Sequence, residues 1–310
     1  MDHAPLGRHA AAMITPFTAD GSLDVDGAQR LAAYLVDEGG LDALVLSGTT
    51  GESPTTSDEE KSVLVRAVAE AVGDRASVIA GVGTSDTRHT VELAHAARRS
   101  GAHGLLVVAP YYSRPGEEAL AHHFRTVAEA AELPVLLYDI PVRTGSELSY
   151  ETLAALAEHP RIVGVKDCSA DVLKVSRLLA ATDLAIYAGC DEQNLSLRAI
   201  GAAGFVSTVA NAAPREVRAV LDAYAAGDPA AATRHHLALT PLITKVMASG
   251  VPGTVTAKAL LAARGLPAGP VRAPLLGADD ELTAGLVREW EALRAACAEP
   301  RVPTGDALPV

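Results

Sequence analysis

Cysteine is scarce in this chain. The three that occur, Cys168, Cys190 and Cys297, are too few and too scattered for a disulfide framework or a zinc cluster, which agrees with a reducing compartment. No apolar run approaches the roughly 18 residues needed to span a bilayer. The opening "MDHAPLGRHAAAMITPF" carries an acid at position 2 and only a short apolar patch before Pro16, so it does not read as a signal peptide, and a cytoplasmic protein is expected. Basic residues are outnumbered, 26 against 38, and the net charge of -12 speaks against nucleic acid or an anionic membrane as partner. An anionic substrate would therefore need positive charge supplied within its site. The glycine pieces "GVG" and "GTTG" lack a full dinucleotide or P-loop fingerprint, so no cofactor is expected. His122-His123 and His235-His236 are adjacent pairs in helical segments; they face different directions, lack the i, i+4 spacing of metal ligands, and predict no metal site.

What the chain does have is apolar sequence enough for a large core: 49% of its 310 residues are hydrophobic. Eight short apolar runs suit strands buried on both faces: 10–15, 42–48, 77–83, 103–110, 134–140, 161–167, 184–189 and 204–208. Helical patterns lie between them. Ala28, Leu31, Ala32, Leu35 and Val36 share one face of 23–38. Ser57 and Glu60 have capping-box spacing at the head of a segment that runs to Gly73. Segments 85–99, 117–132, 149–158, 170–181 and 191–200 continue the alternation. With no Gly/Pro-rich linker between halves, the pattern points to an α/β fold of the (β/α)8 TIM-barrel type ahead of a doubly wound open sheet. Further helices over 214–226, 228–249, 253–264 and 279–297 would complete the barrel and add a small C-terminal helical appendage. The expected division is a barrel over 1–226, C-terminal helices over 227–298 and a Pro-rich, flexible tail over 299–310.

The stretch "RIVGVKDCS" puts Lys166 at the end of the sixth strand. A buried, unpartnered ammonium costs several kcal/mol. The lysine therefore either bends out to pair with Asp167 or another acid, or stays inside where desolvation lowers its pKa and makes a nucleophile of it. In a (β/α)8 barrel the chemistry sits at the C-terminal strand ends, which is where Lys166 falls. Other candidates gather at the same ends. "SGTTGES" after the second strand offers tight backbone turns and the hydroxyls of Thr49 and Thr50, suited to a small carboxylate or to an ordinary turn. Tyr111 and Tyr112 in "APYYSRP" stand at the rim, either packing or relaying protons. Leu136, Tyr138 and Ile140 share a face, which places Tyr138 near Lys166. Arg143 follows as a planar fork for a carboxylate or as a solvated loop residue. Gly189 leaves room for a ligand at the end of the seventh strand.

Taken together and in this order, "GTTGES", "PYY", "YDIPVRTG" and "GVKD" resemble the dihydrodipicolinate synthase and N-acetylneuraminate lyase family of pyruvate-dependent class I aldolases. The likeness runs from "MITPF" at 13–17 to "GTVTAKALL" at 253–261. It implies that Lys166 is the Schiff-base lysine and Tyr138 the proton shuttle. Thr49 and Tyr112 would complete the relay, Tyr112 reaching in from a neighbouring subunit of a homotetramer. Thr50 would hold the pyruvate carboxylate, and Gly189 and Val206 would line the pocket. Arg143 resembles the residue of the synthase branch that binds the carboxylate of aspartate semialdehyde, so the implied reaction joins pyruvate to L-aspartate 4-semialdehyde to give 4-hydroxy-tetrahydrodipicolinate. Imine chemistry of this kind calls for no metal. Cys168 and Cys190 depart from the family pattern beside Lys166 and Gly189. Alternation points Cys168 the same way as Lys166, where it is a small core thiol or a mark of another acceptor. Asp58, Lys61, Ser85 and His89 stand where some relatives bind inhibitory lysine and do not resemble that pattern, so weak or absent lysine feedback is expected. Two other readings remain: an aldolase or dehydratase of the same family with a sugar-acid or specialised acceptor, and a barrel that binds a keto acid without turnover.

Overall fold

The structure, a computed structural model, describes residues 4–298; the tail expected over 299–310 lies outside the described residues. Eight parallel strands close in chain order into one barrel: β1 (His9–Ala12), β2 (Ala43–Leu46), β3 (Ser77–Gly81), β4 (Gly104–Val108), β5 (Val135–Asp139), β6 (Ile162–Asp167), β7 (Ala185–Ala188) and β8 (Gly204–Ser207), the last pairing back on β1. Seven of the eight fall inside the apolar runs, and β1 begins one residue ahead of its run, at His9. The strands are aliphatic on both sides because both sides are covered. Alternate residues such as Ala12, Val45, Ile79, Leu106, Leu136, Tyr187 and Val206 fill the barrel interior. Their neighbours Ala11, Leu44, Val78, Leu105, Leu137, Ile186 and Phe205 join the larger core between the barrel and its helices.

The helices follow local signals with some differences. Ser57 and Glu60 form both bonds of a capping box at the head of helix Asp58–Val72. The helix expected over 23–38 is α only over Val25–Ala33 and continues as a π-helix over Tyr34–Glu38. The segment expected over 191–200 opens as a 3-10 turn, Asp191–Gln193, because the Asp191 side chain turns inward. Helix Pro214–Ala225 follows β8, and helices Pro229–Met247, Gly253–Ala263 and Asp280–Ala298 form the C-terminal appendage. Among the described residues no helix is long and apolar enough to cross a membrane.

Candidate active site

Strand register brings the candidate residues together. In the β5–β6 pair the backbone of Tyr138 lies beside that of Lys166, and in the β6–β7 pair Lys166 lies beside Tyr187; the Tyr138 ring faces the amine, while the Tyr187 hydroxyl meets the Leu6 backbone. Lys166 stays inside: it is 5% exposed, with Nζ 4.3 Å from the centroid of the Tyr138 ring. The alternative of an outward pair with Asp167 is not taken, and Asp167 instead accepts a 2.8 Å hydrogen bond from Ser169 Oγ. Tyr138 is itself buried and hydrogen-bonds to Thr49 and Lys166.

The expectation of a neutral amine needs correction. Burial does push the Lys166 amine down, but the facing Tyr138 hydroxyl and Cys168 thiol favour the charged form more strongly, and the net direction is up. Burial also raises the Tyr138 phenol, with Lys166 working the other way. Lys166 therefore rests as an ammonium and must lose a proton before it can attack a carbonyl. The Tyr138 hydroxyl and its partner Thr49 stand where that proton can be relayed outward, each hydroxyl handing on its own proton as it takes the next.

A cavity of about 330 Å³ opens at the barrel mouth, lined in part by Gly48, Thr49, Leu106, Val108, Tyr138 and Arg143. Its scale suits a small ligand with a mostly apolar wall and few polar groups. Gly189 is not among the residues that line it. A β-carbon there would overlap the Cys168 sulfur and come within 3.0 Å of Lys166 Cε, so glycine makes the space in which the amine stands. Val206 is buried in the barrel interior, and Cys168 packs against the same cluster, on the Lys166 side as alternation predicts. Thr50 is buried and its hydroxyl lies 3.0 Å from that of Thr208. Tyr112 does not join the site within one chain: it is 95% exposed, on a left-handed backbone with φ of 70°. At the positions considered for lysine binding, His89 Nε2 lies 2.9 Å from Asp58 Oδ2, and Lys61 Nζ donates to the Thr56 carbonyl.

Several residues that hold the site together were missed by sequence reasoning. Glu52 is buried, adopts φ of 57°, pairs with Lys258 Nζ at 2.6 Å and accepts from the Arg272 backbone N–H at 2.8 Å. It ties the Thr49–Thr50 loop to the C-terminal segment, and Thr254 Oγ1 adds a 3.4 Å bond to the Thr49 carbonyl. Positive-φ backbone flanks that loop on both sides, at Ser47 (φ 51°) and Glu52, and these contacts hold it at Glu52. Asp191 is buried after β7 and accepts from the backbone N–H groups of Thr208 at 3.0 Å and Val209 at 3.2 Å, which fixes the loop that meets Thr50. Asn211 bonds the Ile14 N–H and the Ala12 carbonyl, joining the loop after β8 to the end of β1. A buried acid after a glycine-ended strand, as in "YAGCDE", is the one signal that marked any of them.

A closed (β/α)8 barrel with an enclosed amine at the end of its sixth strand, beside a tyrosine hydroxyl, defines a barrel equipped for imine chemistry. The sequence model of the dihydrodipicolinate synthetase family matches residues 5–292. A 4-hydroxy-tetrahydrodipicolinate synthase of Streptomyces coelicolor is 64% identical over 95% of this chain and 96% of its own. A dihydrodipicolinate synthase of Bacillus anthracis superposes with a TM-score of 0.89 at 35% identity, covering 96% of this chain and 100% of its own. A DHDPS of Cyanidioschyzon merolae, solved with lysine bound, superposes with a TM-score of 0.90 at 35% identity over 93% of this chain and 98% of its own. The chain belongs to the dihydrodipicolinate synthetase family.

Proposed function

We propose that the protein is a Schiff-base-forming lyase that condenses pyruvate with L-aspartate 4-semialdehyde to give 4-hydroxy-tetrahydrodipicolinate, on the route to diaminopimelate and lysine. The observation that carries this reading is the enclosed Lys166 amine, 4.3 Å from the Tyr138 ring centroid and hydrogen-bonded to its hydroxyl. Lys166 loses its proton along the Tyr138–Thr49 hydroxyls to solvent at the cavity mouth, each hydroxyl handing on its own proton as it takes the next; the amine then attacks the keto carbon of pyruvate, and loss of water leaves an iminium. The cationic nitrogen draws electrons from the methyl group, a proton leaves, and the resulting enamine adds to the aldehyde carbon. Thr50 holds the pyruvate carboxylate. Arg143, exposed on the cavity wall, offers its guanidinium to the carboxylate of the semialdehyde. Tyr112 enters the relay of a second copy, so the working unit is an oligomer, a homotetramer by resemblance.

The test is incubation with pyruvate and sodium borohydride followed by peptide mass spectrometry, together with a coupled turnover assay on the semialdehyde. The expected result is a reduced pyruvate adduct on Lys166, absent from Lys166→Ala, and turnover with the semialdehyde. Folded protein without the adduct overturns the mechanism; an adduct without turnover overturns the acceptor.

A further inference from the structure

Two thiols stand at the barrel mouth, and the condensation uses neither. Asp167 of β6 pairs with Ala188 of β7, and the next residues, Cys168 and Gly189, continue that register, with Gly189 N–H donating to the Asp167 carbonyl at 2.8 Å. Neighbouring strands lie about 4.8 Å apart and rise about 3.3 Å per residue, which puts the Cα of Cys190 about 6 Å from that of Cys168. That separation falls within the span of about 4.4–6.8 Å that a disulfide bridges without moving the backbone. Gly189 places no side chain between them, and the two thiols hydrogen-bond to each other. Both cysteines are half-buried, so solvent reaches them, whereas Cys297 is exposed on the last helix, remote in sequence from either.

We propose that Cys168 and Cys190 form a peroxide-reactive dithiol whose closure to a disulfide shuts Lys166 off from pyruvate. The two sulfurs have different parts. The Cys190 thiol donates to Cys168 and, with the facing Lys166 ammonium, holds Cys168 below the usual thiol range against the effect of burial; Cys190 is pushed above it by that same bond. Cys168 as thiolate attacks one peroxide oxygen: the S–O bond forms, the O–O bond breaks, and the departing oxygen takes up a proton as water. The Cys190 sulfur then attacks the sulfenic sulfur, giving its proton to the departing hydroxyl, so that the S–S bond forms and a second water leaves. Two thiols and one peroxide yield one disulfide and two waters. Closure draws the sulfurs to about 2 Å. It pulls the Gly189–Cys190 segment toward Lys166 Cε, which already lies 3.0 Å from the place a Gly189 β-carbon would take.

The blocking step rests on the proposed role of Lys166, while the disulfide itself does not, and the experiment separates them. Full-length reduced protein is treated with equimolar hydrogen peroxide, alkylated and digested, and a parallel sample is trapped with pyruvate and sodium cyanoborohydride, which spares disulfides. The expected result is a cross-linked Cys168–Cys190 peptide and a fall of roughly ten- to a hundredfold in the rate of Lys166 trapping, the scale on which small misplacements of reacting groups act. Dithiothreitol should restore the rate. Cys168→Ala should trap pyruvate equally before and after peroxide, whereas Cys297→Ser should respond as the parent does. Free thiols after treatment, oxidation confined to Cys297, or a disulfide that leaves trapping unchanged would each overturn the proposal. Untreated protein that traps no pyruvate overturns the functional reading instead, and the peptide map then decides the disulfide alone.

Discussion

At the scale of single residues, the reactive amine is made by what faces it. Lys166 rests as an ammonium because Tyr138 and Cys168 outweigh its burial, and the proposed mechanism therefore needs the Tyr138 hydroxyl to relay its proton away. Tyr138→Phe keeps the ring against Nζ and removes only that hydroxyl; kcat should fall by about a hundredfold or more, the usual weight of a positioned acid–base group. Stopped-flow imine formation and steady-state kinetics on the same variant check this, and near-parental rates would end the relay assignment. Gly189→Ala is the complementary case. Its β-carbon would overlap the Cys168 sulfur and come within 2.9 Å of the Asp167 carbonyl and 3.0 Å of Lys166 Cε, so the amine must move. A loss of about tenfold or more in kcat/KM, with the far-ultraviolet dichroism of the parent, is the expected outcome. The inward faces of Tyr138, Lys166 and Cys168 were legible because strands alternate. The protonation state of Lys166 was not, because it depends on groups facing it across the strand pairing as well as on its own burial.

At the scale of elements, the loop after β2 shows what a motif conceals. The hydroxyls and glycines of "GTTGES" were readable as a carboxylate cradle, but nothing in the motif singled out Glu52. It is buried, paired with Lys258 of helix Gly253–Ala263, some two hundred residues on in the chain, and no local pattern reports such a distance. Glu52→Gln leaves the buried Lys258 ammonium without its counterion, a loss of about 3–5 kcal/mol. Calorimetry should show a lowered Tm, and the pyruvate KM should rise as the Thr49–Thr50 loop loosens. The double variant Glu52→Gln, Lys258→Met should recover much of the Tm. Helices Thr87–Arg99 and Glu117–Ala131 meet through His123, whose Nδ1 lies 2.9 Å from Thr87 Oγ1. Burial lowers His123 from 6.5 to about 4. Because the folded value lies below the unfolded one, the unfolded chain takes the proton first, and stability falls as pH drops from 6.5 toward 4. The shift is worth roughly 3 kcal/mol at most. His123→Gln should flatten the dependence of Tm on pH across that window, and an unchanged slope would rule His123 out as its source.

At the scale of the molecule, closure of the barrel was legible because eight runs are apolar along their whole length, as strands covered on both faces must be. The inward turn of Asp191 was not, since it answers to the backbone N–H groups of Thr208 and Val209 after β8, which no local pattern reports. Tyr112 belongs to a still larger scale. A tyrosine that is 95% exposed on a left-handed backbone, one residue from the cavity-lining Tyr111, contributes nothing to its own chain's site. If it completes the relay of a second copy, two inactive variants should repair each other. Lys166→Ala lacks the amine but carries an intact Tyr112, and Tyr112→Phe carries the amine but lends no hydroxyl. Mixed after reversible dissociation and reassembly, the pair should form hybrids in which the Tyr112→Phe chain supplies Lys166 and its partner supplies Tyr112, so one site per hybrid is whole. Turnover of the mixture should exceed the sum of the two variants assayed apart, and should disappear on dilution as the hybrids separate. A mixture no more active than that sum would place Tyr112 outside the relay and leave Tyr138 and Thr49 to move the proton within a single chain.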